Sequence, residues 1–457
     1  MRSIAEILED FKQMSSSLKV EMDRFIAPFA SILPDARYRR TLYQFVPAIL
    51  AARSPQPARA AAYAPDPPTN TWALAKRFFC LLNTPAFSHQ DWLKVLYADA
   101  RKVVEAMEEN SYVLIALDTV NFEKPYARKM EGISKVRKST PPGTLPYRAP
   151  RITWGYPAIF GLVLNAPYPA IAYQRLFSYT TPDFISQPME WISAFQTIRQ
   201  QLPDKRICVV ADAEADDQKL WREAKGCKLE FIFRATKVRN IQVWNPRLHR
   251  WEDEELQSLA QVMAGRFTFK VEFNHAGKKI PARVSLDWFR FRLPKGGDNY
   301  WAVVAETRVK KEDIPDDAWL PPRLLVLVTN RSVRGKKAAK RIYNDWCQRG
   351  RIEPFYRFLQ EEGVNVEAIQ VRKLERIRRM LLLVLIGALF VLRLESLWPE
   401  VVIQWLRRVA SSTGGTKLDR EGPYLLLAGV QRILATLSLF QWMTKVPPPL
   451  FALPGPT

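Results

Sequence analysis

Two aspartates in this chain stand where chemistry could be done. Asp118 closes the apolar run YVLIALD and Asp212 closes RICVVAD, and in an open α/β sheet the ends of strands are where side chains emerge into a ligand crevice. Aspartates at such ends also cap turns, so either one taken alone is better read as structural. The rest of the chain narrows the choice. Its four cysteines (Cys80, Cys208, Cys227, Cys347) and three histidines (His89, His249, His275) are scattered without a ligand pair such as Cys-x-x-Cys. That argues against a structural zinc site and against catalysis by histidine or cysteine. If the chain is an enzyme, carboxylates carry its reaction. Clustered carboxylates suit hard, oxygen-preferring ions such as Mg²⁺ or Mn²⁺. Two such ions about 4 Å apart can activate a water or hydroxyl and stabilise the departing oxygen in an in-line phosphoryl transfer.

A third carboxylate comes from the segment Asn344 to Gln360, NDWCQRGRIEPFYRFLQ, which sets Trp346, Arg349, Glu353 and Gln360 in the spacing Trp-x2-Arg-x3-Glu-x6-Gln. This resembles the Y-x2-R-x3-E-x6-K signature of bacterial insertion-sequence DDE transposases, cut-and-paste enzymes with an RNase H-like, retroviral-integrase-like core. ALDTV around Asp118 and VVADAEADD around Asp212 are also similar to that family, whose second acid commonly sits in a D-x-E-A-D context. The matches occur in the family's order and cover residues 111 to 375. The resemblance implies that Asp118, Asp212 and Glu353 are the catalytic ligands of two Mg²⁺ or Mn²⁺ ions. It further implies metal-dependent cleavage and strand transfer at the inverted ends of an insertion sequence, on double-stranded DNA, by a homodimer in a synaptic complex. The expected location is the bacterial cytoplasm, on the nucleoid. Arg349 would bind phosphate.

The departures from the signature also carry meaning. Trp346 replaces the family's tyrosine and loses its hydroxyl, and Gln360 replaces a lysine and removes a phosphate-binding charge. Arg357, four positions after Glu353, would supply a cation on the same helical face. Gly350 and Pro354 predict a break before Glu353, with proline in the first turn of the next helix. These exchanges motivate an alternative, a catalytically inactive DNA-binding or repressor protein derived from a transposase; retention of all three acids favours the enzyme. Glu214, Asp216 and Asp217 compete as ligands, but they fall where a helix should begin, and negative charge there is structural.

The balance of 68 basic and 46 acidic residues, a net charge of +22, calls for a polyanionic partner. Nucleic acid is the first expectation and an anionic membrane surface its competitor. Between Glu123 and Arg151 there are eight basic residues against two acidic, and Lys129, Lys135, Arg137 and Lys138 among them would track phosphates. A second cluster, Arg331, Arg334, Lys336, Lys337, Lys340 and Arg341, has no acid among residues 331–341. Phosphate contacts of this kind position DNA without reading its sequence. Large aromatics recur at Trp244, Trp251, Trp288 and Trp301. Tryptophan in strands usually packs, but some relatives in the resembled family hold a flipped base on such a ring, and Trp288 is the candidate.

The elements that must position these groups read as α/β: an RNase H-like core interrupted by a β-rich insertion, between helical terminal regions. Residues 1–110 are expected to be helical and to recognise DNA ends. Ser88 is the expected N-cap of an amphipathic helix reaching Glu109, and a proline- and alanine-rich linker covers Pro55 to Pro68. Residues 111–228 form the first part of the core, 229–322 the insertion, 323–375 the second part with Glu353, and 376–457 a helical region for packing or dimerisation with a proline-rich, mobile tail. The longest apolar run, Met380 to Leu392, has thirteen residues where a membrane span needs about twenty, so a buried helix is expected and no membrane partner. The N-terminal MRSIAEILEDFKQ has no secretory pattern.

Overall fold

The computed structural model describes residues 4–65, 70–108, 111–138, 151–245, 247–263, 265–275, 278–294, 297–310, 312, 323–360, 363–411 and 422–445. The proline-rich tail, the middle of the basic loop at residues 139–150, and the turn glycines Gly277 and Gly296 lie outside them. In chain order the elements are α1 (Ile4–Ser31), α2 (Ala36–Ala52), α3 (Pro57–Ala62), α4 (Thr71–Asn83), α5 (His89–Glu105), β1 (Val113–Glu123), β2 (Ser134–Arg137), β3 (Ile152–Val163), β4 (Ala170–Leu176), α6 (Gln187–Gln201), β5 (Ile207–Ala211), α7 (Gln218–Gly226) and β6 (Glu230–Arg234). There follow β7 (Asn240–Asn245), β8 (Arg250–Glu255), α8 (Leu256–Val262), β9 (Phe267–His275), β10 (Lys278–Arg292), β11 (Asn299–Val309), β12 (Leu324–Thr329), α9 (Lys336–Cys347), α10 (Ile352–Leu359), α11 (Leu374–Leu397), α12 (Glu400–Ala410) and α13 (Gly422–Lys445). The protein is thus mixed α/β, and it divides into two compact units: residues 1–96, 128–131 and 355–457, and residues 97–127 with 132–354.

The first unit is helical. Its α11 buries nearly every residue from Met380 to Val391, as a helix apolar on all sides must. The thirteen-residue run is therefore part of a 24-residue helix, long and apolar enough to cross a membrane, with 78% of its most apolar window buried inside the protein. Arg379 at its start donates to the carbonyls of Leu82 and Thr84 at the end of α4, at 3.1 and 2.6 Å, satisfying orphan groups of that helix with a side chain. At the start of α5, where Ser88 is the expected N-cap, the bonds run the other way: the Asp91 carboxylate accepts the Ser88 amide at 2.9 Å and the Ser88 hydroxyl at 3.1 Å. The proline-rich stretch read as a linker contains α3, with Pro57 at its first position, where a missing N–H costs nothing.

The second unit is built on one mixed sheet in which, among the described residues, strands run β2-β3-β1-β5-β6-β12-β11-β10-β7-β8, with β4 on β3 and β9 on β10. β1 is antiparallel to β3 and parallel to β5, and β5 is parallel to β6. The central strand β5 is buried throughout, as expected of a strand between two parallel neighbours. β1 and β3 approach so closely that a Cβ on Gly155 would lie 2.4 Å from the Phe122 carbonyl oxygen. β6 falls within the stretch read as the insertion, yet pairs parallel with β5, and β12 returns antiparallel against it. The insertion strands therefore extend the core sheet.

Candidate active site

The parallel register of β1 and β5 matches Ala116 with Val210 and goes no further. Two residues on lie Asp118 and Asp212. Asp212 follows the last residue of β5, as expected, whereas Asp118 does not end its strand: β1 continues to Glu123 on its pairing with β3 alone. The crevice thus opens where the pairing of β1 with β5 ends, beyond Ala116 and Val210.

Helix α9 leads into the turn and helix that carry the third acid. A buried polar network ties it to the sheet: Asp345 accepts from the Tyr112 hydroxyl at 2.6 Å and from Arg331 at 2.7 Å, and Arg331 also meets Glu230 at 3.3 Å. Burial and the Asp345 carboxylate both push the Tyr112 pKa well above its ordinary value, so the phenol stays a donor. One residue on, Trp346 donates its indole N–H to the Ala211 carbonyl at 3.2 Å, immediately before Asp212. The expected break then appears as a 3-10 turn over Gln348–Arg351, after which α10 starts with Glu353 in its first turn.

Arg349, in that turn, is 6% exposed and reaches all three carboxylates: Asp118 at 3.5 Å, Asp212 at 3.5 Å and Glu353 at 3.4 Å. Arg234, the last residue of β6, adds a second guanidinium 3.2 Å from Asp212. Burial pushes the Asp118 carboxyl up to about 7 against the pull of Arg349, and the charges of Glu214 and Asp212 add to the rise. The donor set is all carboxylate oxygen, which fits a hard divalent ion. Among the described residues no three acidic, histidine or cysteine side chains stand ready to chelate an ion as placed; a guanidinium lies between these three.

Two of the competing acids have other work, and the third stays beside the cluster. Asp216 is fully buried, accepts the Thr236 and Lys237 amides at 2.7 Å each and pairs with Arg239. Asp217 caps α7 through the Lys219 amide, and Glu214, in the 3-10 turn after β5, is pushed up by burial and by the charge of Asp212 and in turn raises Asp118.

Besides Arg349, two more expected DNA contacts are turned inward. Arg331 has a side chain 8% exposed because Asp345 and Glu230 neutralise it inside the unit. Trp346 is 1% exposed and buttresses the backbone before Asp212. Lys135 and Arg137 are exposed and, two apart on β2, share one face of the sheet edge; Lys138 beside them is also exposed. Arg334, Lys336 and Lys337 are exposed around the start of α9. Lys129 and Arg357 are exposed residues of the helical unit. Trp288 is half-buried on β10 beneath the Arg266 guanidinium, 5.4 Å from its ring, while neighbouring Asp287 pairs with Arg266 at 2.9 Å. Sequence reasoning passes over Arg234; the signal is a basic residue closing the apolar run FIF after a strand and helix.

No family model and no curated protein matches this sequence. Among solved structures there is a distant likeness to a piggyBac transposase, from the cryo-EM structure of its synaptic complex with hairpin DNA, with a TM-score of 0.37 and 8% identity. The aligned region covers 82% of this chain and 65% of the other, so this chain spans less than two thirds of that protein's length.

Proposed function

We propose that this protein is a DDE-type transposase that cleaves and joins DNA at the inverted ends of an insertion sequence. The observation that carries the reading is the convergence of Asp118, Asp212 and Glu353, 235 positions apart at the extremes, on a single guanidinium within 3.5 Å. The run β4-β3-β1-β5-β6, an antiparallel set joined to two parallel strands with an acid on each of the two central strands' crevice side, supports an RNase H-like core.

Asp118, Asp212 and Glu353 would hold two Mg²⁺ or Mn²⁺ ions, which would supply activation of a water or 3′-hydroxyl and charge stabilisation at the departing oxygen. The chain's own groups do the rest. Trp346 and the Asp345 network hold the acids' backbones in register, and Arg349 and Arg234 offer planar forks to phosphate. Lys135, Arg137 and Lys138 grip backbone phosphates, DNA ends are paired by two copies of the chain, and Trp288 receives a displaced base. The decisive experiment incubates purified protein and labelled terminal DNA with Mg²⁺ or Mn²⁺ and maps the strand ends; intact DNA under all metal conditions would favour the inactive derivative.

Three further outcomes are expected. Neutralising Lys135, Arg137 and Lys138 together lowers the slope of log affinity against log salt by roughly 3, about one for each phosphate that is no longer neutralised; an unchanged slope in a salt titration makes them a solvated edge. Trp288→Ala loses stacking worth about 1–3 kcal/mol and leaves strand processing incomplete at near-normal melting temperature; a large fall in melting temperature makes it a packing residue instead. The third concerns pH. Asp118 titrates near 7 in the folded chain, above its ordinary 3.8, so below pH 7 its proton competes with the metal, and Mn²⁺ affinity falls by up to about tenfold per unit. By the same sign the folded state binds that proton more tightly than the unfolded one, and metal-free stability declines between pH 4 and 7, roughly. A flat calorimetric Mn²⁺ profile through that range would contradict the assignment.

A further inference from the structure

Arg349 has an unusual set of partners. Among the described residues its side-chain polar contacts are the three carboxylates, and its guanidinium lies 5.7 Å from the Trp346 ring. The pairings, at 3.4 to 3.5 Å, are longer than the roughly 2.7–2.9 Å of a well-formed charge-assisted hydrogen bond. One cation is being shared among three anions and held firmly by none. Arg234 likewise leans, among the described residues, on Asp212 alone, at 3.2 Å, with a side chain 27% exposed. The carboxylates repel one another in a partly buried crevice, and a cation among them is what their charge requires.

We propose that Arg349, assisted by Arg234, is a resident counter-ion of the acid cluster: it holds the carboxylates together and divalent metal off until DNA phosphate draws the guanidiniums away. The proposal rests on the DDE reading and adds its regulation. A guanidinium fork matches phosphate in two-point geometry, and the same arm cannot serve phosphate and three carboxylates together. DNA and metal therefore favour each other's binding, and by linkage each raises the other's affinity by the same factor. Metal-free protein keeps its acids neutralised, and loading follows capture of a substrate.

The test reads binding, not turnover. Mn²⁺ is titrated calorimetrically into the full chain at pH 8, with and without a duplex of random sequence, and into the duplex alone as control. Arg349→Gln is expected to bind Mn²⁺ about tenfold tighter than the wild type without DNA, since it removes a unit charge competing for the same oxygens. Arg234→Gln should gain in the same direction by a smaller factor. The duplex should raise Mn²⁺ affinity more for the wild type than for Arg349→Gln. Arginine variants that bind Mn²⁺ no tighter than the wild type overturn the proposal. If Arg349→Gln fails to fold, Arg234→Gln decides, and unchanged affinity there is the overturning result. The two readings separate through Asp118→Asn. Mn²⁺ binding that Asp118→Asn abolishes and both arginine variants leave unchanged removes only the counter-ion, whereas no Mn²⁺ binding in any variant, with or without DNA, removes the two-metal reading with it.

Discussion

Asp118→Asn, Asp212→Asn and Glu353→Gln are each expected to lose strand cleavage by a factor on the order of 10³ or more while retaining most DNA affinity. Each exchange is nearly isosteric and removes one ligand charge, so the crevice keeps its shape and loses its capacity to hold a hard cation. The metal-free fold should tolerate the changes, because each variant leaves Arg349 two carboxylate partners. Asp118→Asn should also flatten the pH dependence of metal-free stability, since burial of that carboxyl produces it. Cleavage is followed on labelled ends in Mg²⁺ and in Mn²⁺, and binding at the same salt concentration. Near-normal cleavage by any variant excludes that residue from the catalytic set, and full activity in chelator excludes the metal mechanism.

Asp345→Ala should cost about 3–5 kcal/mol of stability in the sheet unit, an effect far larger than a surface charge would give. The substitution leaves the Arg331 guanidinium, 8% exposed, with Glu230 at 3.3 Å as its carboxylate partner among the described residues, beside the Cys208 sulfur at 3.7 Å, and it strips the Tyr112 hydroxyl of its acceptor. The loss falls on the helix that carries Trp346 and leads into Arg349, so cleavage should decline with it even at temperatures where the protein stays folded. The double variant Arg331→Met with Asp345→Leu should recover most of the stability, because a buried ion pair replaced by apolar groups of similar size is often neutral. Urea midpoints decide: a loss below about 1 kcal/mol for Asp345→Ala would mean the network is not what fixes α9.

Local pattern made much of this protein legible. The apolar runs ending at Asp118 and Asp212 became β1 and β5, a helix starts directly after Ser88, and Gly350 with Pro354 marked the turn before α10, which carries Glu353 in its first turn. These features depend on residues within a turn or a strand of one another, which periodicity and capping chemistry can read. Tertiary structure decided which partner each charged group meets. Arg331 belongs to a run of basic residues that reads as a solvated surface, and only the meeting of β6, β12, α9 and the residue before β1 turns it inward to Asp345 and Glu230. Trp346 reads as a substituted signature residue, and its burial follows from α9 lying against the end of β5. Arg234 is 22 positions from Asp212 and touches it because β6 pairs parallel with β5. The pairing of Arg349 with Glu353 is written in their i,i+4 spacing, but its seating against Asp118 and Asp212 is not, since chain order specifies which groups exist, and long-range pairing specifies which opposite charges share a crevice.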